Sequence, residues 1–144
     1  MFKTTVSPRF GDIDGLKHAN NIAVAIWFEQ ARNSVYRLFT ADLDLSYEKW
    51  KLIMARTEYD YVGEMFYGDD VTIVTYISRI GNSSFTITQE AWQQERMRAI
   101  GRSVLVHYDF INKRSIPIPD DIRNVLKEHL QEEVNRSHKD WLNI

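Results

Sequence analysis

Residues 22–40 read IAVAIWFEQARNSVYRLFT, and the fold of this chain turns on how that stretch is read. Val24, Phe28, Ala31, Val35 and Leu38 recur at intervals of three and four, which places them on one face of a helix. Ile22, Ala25, Trp27 and Phe39 add apolar groups on the flanks. A helix apolar over most of its girth has to be wrapped by other elements, so the spacing predicts a long buried helix over 22–40. Asn20 or Asn21 stands where an N-cap belongs, because a side-chain oxygen there satisfies orphan amides of the first turn.

What surrounds the helix is strand. Thr4–Phe10 precedes it, and Leu52–Val62, Val71–Ile80, Ser84–Trp92 and Ala99–Phe110 follow, each rich in β-branched and aromatic residues at period two. In the second of these, Val71, Ile73, Thr75 and Ile77 would share one face, with Thr72, Val74, Tyr76 and Ser78 on the other. Gly81-Asn82 signals a hairpin, and Gln93–Arg98 reads as a longer hairpin connection. Pro117 and Pro119 close the strand region. Asp120-Asp121 opens a last amphipathic helix with Ile122, Val125, Leu126, His129 and Leu130 along one stripe. The order is strand, buried helix, four antiparallel strands, terminal helix, an α+β layout in which one curved sheet wraps one helix.

Composition bounds the rest. The 144 residues suit one domain spanning 1–144, and no repeat or Pro/Gly/Ser-rich linker divides them. An apolar share of 44% supplies a core. A net charge of −2 lacks the basic excess of a dedicated nucleic-acid binder. With Cys at 0, disulfides, thiolate zinc sites and cysteine nucleophiles are excluded. The four histidines, His18, His107, His129 and His138, show no metal-ligand spacing, so no metal is expected. Trp27, Trp50, Trp92 and Trp141 are scattered and read as core or interface anchors. The longest apolar run, Ile22–Phe28, is too short for a membrane span, and Met1–Thr5 shows no signal-peptide pattern, so the default expectation is a cytoplasmic protein.

Reactive groups concentrate between the first strand and the helix: Arg9, Asp12, Asp14, His18, Asn20 and Asn21. This loop delivers side chains to the positive end of a helix, where free amides polarise a carbonyl or hold an oxyanion. A carboxylate beside them suits acyl transfer from an ester or thioester. The alternative is that Asp12 and Asp14 are turn residues and Asn21 a cap. Glu29 is a second carboxylate, on the helix itself, and Arg32 three residues on predicts an ion pair with it.

Arg9-Phe10-Gly11-Asp12-Ile13-Asp14, His18-Ala19-Asn20-Asn21 and Trp27-Phe28-Glu29-Gln30-Ala31-Arg32 together resemble the signature of hot-dog-fold thioesterases of the 4-hydroxybenzoyl-CoA and acyl-CoA type. The resemblance runs on through Gly81–Phe85 and Val104–Pro119. It implies hydrolysis of an acyl-CoA or acyl-carrier-protein thioester with no cofactor. Asp14 would be the catalytic carboxylate, as nucleophile or as general base. The Asn21 amide would polarise the thioester oxygen, and His18 would order the loop or assist proton transfer. Asp12 would be structural, and Asn20, Ser83 and Ser84 would contact substrate. It also implies a homodimer or homotetramer with sites at the dimer interface. Lys17 stands where the family usually has glycine and Val24 where it often has tyrosine. At the hairpin, Gly81-Asn82-Ser83 replaces the family's basic residues, leaving Arg79, Arg98, Arg102 or Lys113 as substitutes for gripping CoA phosphates. These departures sustain an alternative reading, a non-hydrolytic acyl-thioester-binding module. A hot-dog dehydratase is disfavoured because its G-H-x-x-G-x-P context is absent.

Overall fold

The computed structural model describes residues 1–133; His138 and Trp141 lie outside the described residues. Elements follow the chain as β1 (Phe2–Val6), α1 (Asn21–Ala31), α2 (Asn33–Phe39), β2 (Leu52–Tyr61), β3 (Val71–Ile80), β4 (Ser84–Gln93), β5 (Arg96–Asp109), β6 (Arg114–Ser115) and α3 (Asp120–Glu128). The main strands pair antiparallel in the order β1-β3-β4-β5-β2, with β6 added to β5. α1 lies against the concave side of this curved sheet, as the α+β reading expected. Val71, Ile73, Thr75 and Ile77 face inward and are all buried, so the period-two pattern of β3 reads correctly.

The apolar core has two parts. Val24, Trp27, Phe28 and Ala31 of α1 pack on Val71, Ile73, Ala91 and Ala99 of the sheet. Val35 of α2 and Leu126 of α3 pack with Leu52, Ile77, Phe85, Ile87, Leu105 and Ile118 at the other end. At about 25 cal/mol per Å² of apolar area removed from water, such clusters supply the main driving force for folding. Gly101 makes the first part possible. A Cβ there would lie 2.8 Å from the Tyr59 ring and 3.0 Å from the Phe28 ring, so only glycine lets both rings press onto β5.

Several boundaries differ from the expectation. The long helix is broken: α1 ends at Ala31 and α2 begins at Asn33. The Arg32 amide at the junction is shared between the Phe28 and Glu29 carbonyls at 3.1 and 3.2 Å. Gln89 of β4 donates to the same Phe28 carbonyl at 2.9 Å, and this competition loosens the helical ladder there. α1 is also less enclosed than its composition implied, since Ile22 and Ile26 stay 64% and 48% exposed. β1 stops at Val6, ahead of Pro8, which has no amide to give to the β3 ladder. The Gln93–Arg98 connection is tight rather than long. Gln93 pairs with Arg96, and Gln94 and Glu95 take φ of 54° and 61°, the left-handed pair of a type I′ hairpin without a glycine. α3 ends at Glu128, so Leu130 leaves the expected helical stripe. It bridges Ile77 instead, continuing the sheet edge beyond β1.

The outer face of the sheet is polar and tied together. Tyr76 donates to Glu90 at 2.7 Å, Trp92 donates to the other Glu90 oxygen at 2.9 Å, and Arg102 bonds Asp60 and Glu133. Burial and the adjacent Glu90 carboxylate keep the Tyr76 hydroxyl protonated far above its ordinary range. Among the described residues no helix is long and apolar enough to cross a membrane.

The packing can be tested at two positions. Gly101→Ala forces the Tyr59 and Phe28 rings aside and is expected to cost about 1–3 kcal/mol, measured by urea unfolding. The second position is His107, which is buried with Nδ1 3.1 Å from the Pro117 carbonyl. Burial pushes its pKa below the ordinary 6.5, so the unfolded chain binds more protons below that pH. Stability is full above pH 6.5 and falls as the pH drops from there towards the folded-state pKa. The melting temperature should therefore decline as the pH is lowered through 6.5, and more steeply in the wild type than in His107→Asn.

Candidate active site

Between β1 and α1 the chain folds into a compact loop built on backbone hydrogen bonds. Asp12 is buried and anchors it. Its carboxylate accepts from the Arg9 amide at 2.8 Å and from the Arg9 guanidinium at 3.3 Å, while its carbonyl accepts from the Asn20 amide at 2.7 Å. Burial alone would raise the Asp12 pKa, but the Arg9 amide and guanidinium outweigh it and hold the carboxyl below its ordinary range. Ile13 and Ala19 form an antiparallel bridge, and the Asp14 amide donates to the His18 carbonyl at 3.0 Å. Inside this clasp, Asp14 Oδ1 accepts from the Leu16 amide at 2.9 Å and the Asp14 carbonyl from Lys17 at 3.0 Å. Lys17 sits in the left-handed region at φ 65°, the conformation that glycine adopts without steric cost.

The clasp docks on the segment after β2 through an Ala19 amide to Met65 carbonyl bond of 2.7 Å. That contact closes a cavity of about 200 Å³ lined by Asp14, His18, Asn21, Val24, Tyr61 and Glu64, among others. His18 Nε2 lies 3.4 Å from Glu64 Oε2, and its ring meets Phe66 edge-on at 5.4 Å. Neither Glu64 nor Phe66 was legible as a partner, because both come from a loop more than forty residues downstream.

Asn20 is the N-cap of α1, its Oδ1 accepting from the Ile22 amide at 2.8 Å. Asn21 is therefore the first helical residue, and its amide precedes any intrahelical acceptor. The three proposed catalytic residues, Asp14, His18 and Asn21, thus share one cavity. Val24 lines it as well, without the tyrosine hydroxyl common at that position. Tyr61 of β2 brings a hydroxyl instead, 3.4 Å from the Asn21 carbonyl, and burial raises its pKa. The cue was present in the sequence as a tyrosine at the end of a strand run, but nothing in the pattern placed it at the helix start.

Other candidates lie elsewhere. Asn20 commits its oxygen to the cap and does not line the cavity. Ser83 and Ser84 occupy the β3–β4 turn, where the Ser83 carbonyl accepts from His107. That turn is at the opposite end of the sheet, about 30 Å away for ten residues of extended β4, so one protomer cannot bring the serines to Asp14. Arg102 is committed to Asp60 and Glu133 on the outer face. Arg98 does flank the cavity: its side chain crosses Gly63, and among the described residues its guanidinium bonds the Gln93 carbonyl and Gln94 alone. The expected Glu29–Arg32 ion pair does not form. Glu29 is exposed, while Arg32 turns into the sheet towards Gln89 and Ser103, both at 3.4 Å. Among the described residues no three His, Asp or Glu side chains gather closely enough to hold a metal ion.

The fold recurs in known proteins. The model of the thioesterase-like superfamily matches residues 8–126. Among curated proteins there is no significant sequence match. The chain is 45% identical to a predicted thioesterase from Bacillus stearothermophilus, over 92% of this chain and 98% of that one, with a TM-score of 0.87. It is 28% identical to a thioesterase from Thermus thermophilus solved with coenzyme A and Zn, over 88% and 91% of the two chains, with a TM-score of 0.76. A Staphylococcus aureus protein solved in complex with CoA shares the fold at a TM-score of 0.80 with 14% identity, over 99% and 92% of the chains. With its sheet wound round α1 in the hot-dog manner and its family match covering most of its length, the chain belongs to the thioesterase-like superfamily.

Proposed function

We propose that the protein hydrolyses an acyl-CoA thioester to a free acid and a thiol, with Asp14 as the catalytic carboxylate. One observation carries this reading: Asp14 and Asn21, the first residue of α1, line the same cavity. A thioester carbonyl oxygen directed at the Asn21 amide meets a donor whose dipole favours the negative charge of the tetrahedral intermediate. Asp14 has one oxygen held by the Leu16 amide, which leaves the other for the reaction. By one route the carboxylate takes a proton from water as the hydroxyl oxygen adds to the carbonyl. The C–S bond then breaks and that proton passes to the thiolate. By the other route the carboxylate itself adds, the thiolate leaves, and water opens the resulting anhydride. Single turnover in ¹⁸O-water separates them, since only the second places label in Asp14.

His18 beside Glu64 holds the loop over the cavity, and Tyr61 lends a second polar wall. Arg98 packs against Gly63 of the cavity wall and has no carboxylate partner among the described residues, which suits the phosphates of coenzyme A. Assembly as a homodimer at least belongs to this reading. β2 is an edge strand whose Ile53, Met54 and Tyr61 are 39%, 37% and 47% exposed, and α1 leaves Ile22 and Ile26 uncovered on its other side, towards β1.

The test is thiol release from short, medium, long and aromatic acyl-CoAs. Asp14→Asn keeps an acceptor for the Leu16 amide and so preserves the loop, yet is expected to lose about 10²-fold or more in kcat, as is Asp14→Ala. Binding of acyl-CoA without turnover in the wild type would favour the non-hydrolytic module instead. Lys17→Gly relieves the left-handed residue of the loop and is expected to raise unfolding stability by about 0.5–1 kcal/mol in thermal melts.

A further inference from the structure

The break between α1 and α2 leaves a cation buried in the protein with no anion to meet it. Arg32 is 5% exposed. Its Nε donates to the Tyr36 hydroxyl at 3.1 Å, and Nη1 donates to Gln89 Oε1 and Ser103 Oγ, both at 3.4 Å. The Tyr59 hydroxyl is a further neighbour of the guanidinium. All of these partners are neutral, and the two longer contacts are weak. Among the described residues no carboxylate forms an ion pair with Arg32. Removing a charge from water without a counter-charge costs several kcal/mol, and arginine cannot escape by losing its proton. An anion arriving from outside would supply the missing counter-charge.

The space for that anion is beside it. A cavity of about 520 Å³, larger than the one at Asp14, is lined by Arg32, Tyr36, Trp50, Met54, Thr57 and Tyr59 together with rim residues. Tyr36 and Trp50 meet edge to face at 5.6 Å, which fixes both rings. The Tyr36 oxygen accepts from Arg32, so its own proton is free to be donated into the cavity. A planar guanidinium and a phenol at the bottom of an apolar, aromatic chamber match a carboxylate carried on an apolar body. Glu29 also lines this cavity, but it is exposed, so water screens its charge.

We propose that this cavity binds a carboxylate-bearing organic molecule, its carboxylate on Arg32 and Tyr36 and its apolar body against Trp50, Met54 and Tyr59. The carboxylate has two possible sources: the far end of an acyl group whose thioester sits at Asp14, or a separate ligand. The first is geometrically open. Eleven residues of helix separate Asn21 from Arg32, about 16 Å along α1, and Tyr59 and Tyr61 lie two residues apart on one face of β2, one lining each cavity.

The experiment has a binding arm and a kinetic arm. In the binding arm, the intact protein is melted with added adipate, suberate or phenylacetate, against the matching neutral amides at equal ionic strength. Stabilisation by about 2 °C or more with the acids alone is expected. It should be absent in Arg32→Gln and reduced in Tyr36→Phe, which keeps the packing if the arginine variant does not fold. In the kinetic arm, which rests on the thioesterase reading, ω-carboxyacyl-CoAs are compared with uncharged acyl-CoAs of equal length. A preference of about 10-fold in kcat/KM that disappears in Arg32→Gln assigns the carboxylate to the substrate. Equal rates with acid-specific stabilisation assign it to a separate ligand. No acid-specific stabilisation and no preference, or the same stabilisation in Tyr36→Phe and any folded Arg32→Gln, overturns the proposal whether or not the protein hydrolyses thioesters.

Discussion

The position of α1 over the sheet rests on a single buried amide. Gln89 sits at the centre of the concave face of β4 and is 1% exposed. Its Nε2 donates to the Phe28 carbonyl at 2.9 Å and to Thr75 Oγ1 at 3.1 Å, and its Oε1 receives the Arg32 guanidinium. Helix, strand and neighbouring strand are therefore joined at one side chain. Apolar packing alone would hold α1 against the sheet but would allow it to slide or rotate, because the hydrophobic effect is not directional. A satisfied buried network supplies the missing direction. Since the Asn21 amide lies at the far end of the same rigid helix, its place in the reactive cavity is set from the Gln89 end.

That arrangement explains why the helix breaks where it does. The Phe28 carbonyl accepts from both the Arg32 amide and Gln89, and Asn33-Ser34, which compete locally for backbone bonds, do little to propagate the helix. Breaking the helix turns the Arg32 side chain inward instead of along the surface to Glu29. The buried cation and the large cavity beside it are thus consequences of the same contact that positions α1. The polar groups of the concave face, Gln89, Thr75 and Ser103, gather round that contact.

How much of this could be read from the sequence follows from the range of each interaction. The strands were legible because period two is a local property, as Val71, Ile73, Thr75 and Ile77 show. The cap at Asn20 and the acidic start of α3 were legible for the same reason. The break at Arg32 was not, because its cause lies fifty-seven residues away in Gln89. The Gln94-Glu95 turn was not, because it takes left-handed geometry from residues that seldom signal it. At the site, the clustering of Asp14, His18 and Asn21 was readable from their spacing and the family they resemble. Tyr61 and Glu64 were invisible, because a sheet edge and a downstream loop deliver them.

The substitution of Val24 for tyrosine has a structural answer in Tyr61. A hydroxyl contributed by α1 would move with the helix, whereas one contributed by β2 is tied to the edge of the sheet and bonded to the Asn21 carbonyl. The polar wall of the cavity is thereby linked to the strand that carries Tyr59 into the second cavity. Tyr59 packs on Phe28 at 5.6 Å, over the glycine at 101 that admits both rings. β2 thus contributes one tyrosine to the wall of each cavity. It is also an edge strand with a register irregularity between Met54 and Arg56, so it can adjust at lower cost than the interior strands β4 and β5, which are paired on both sides.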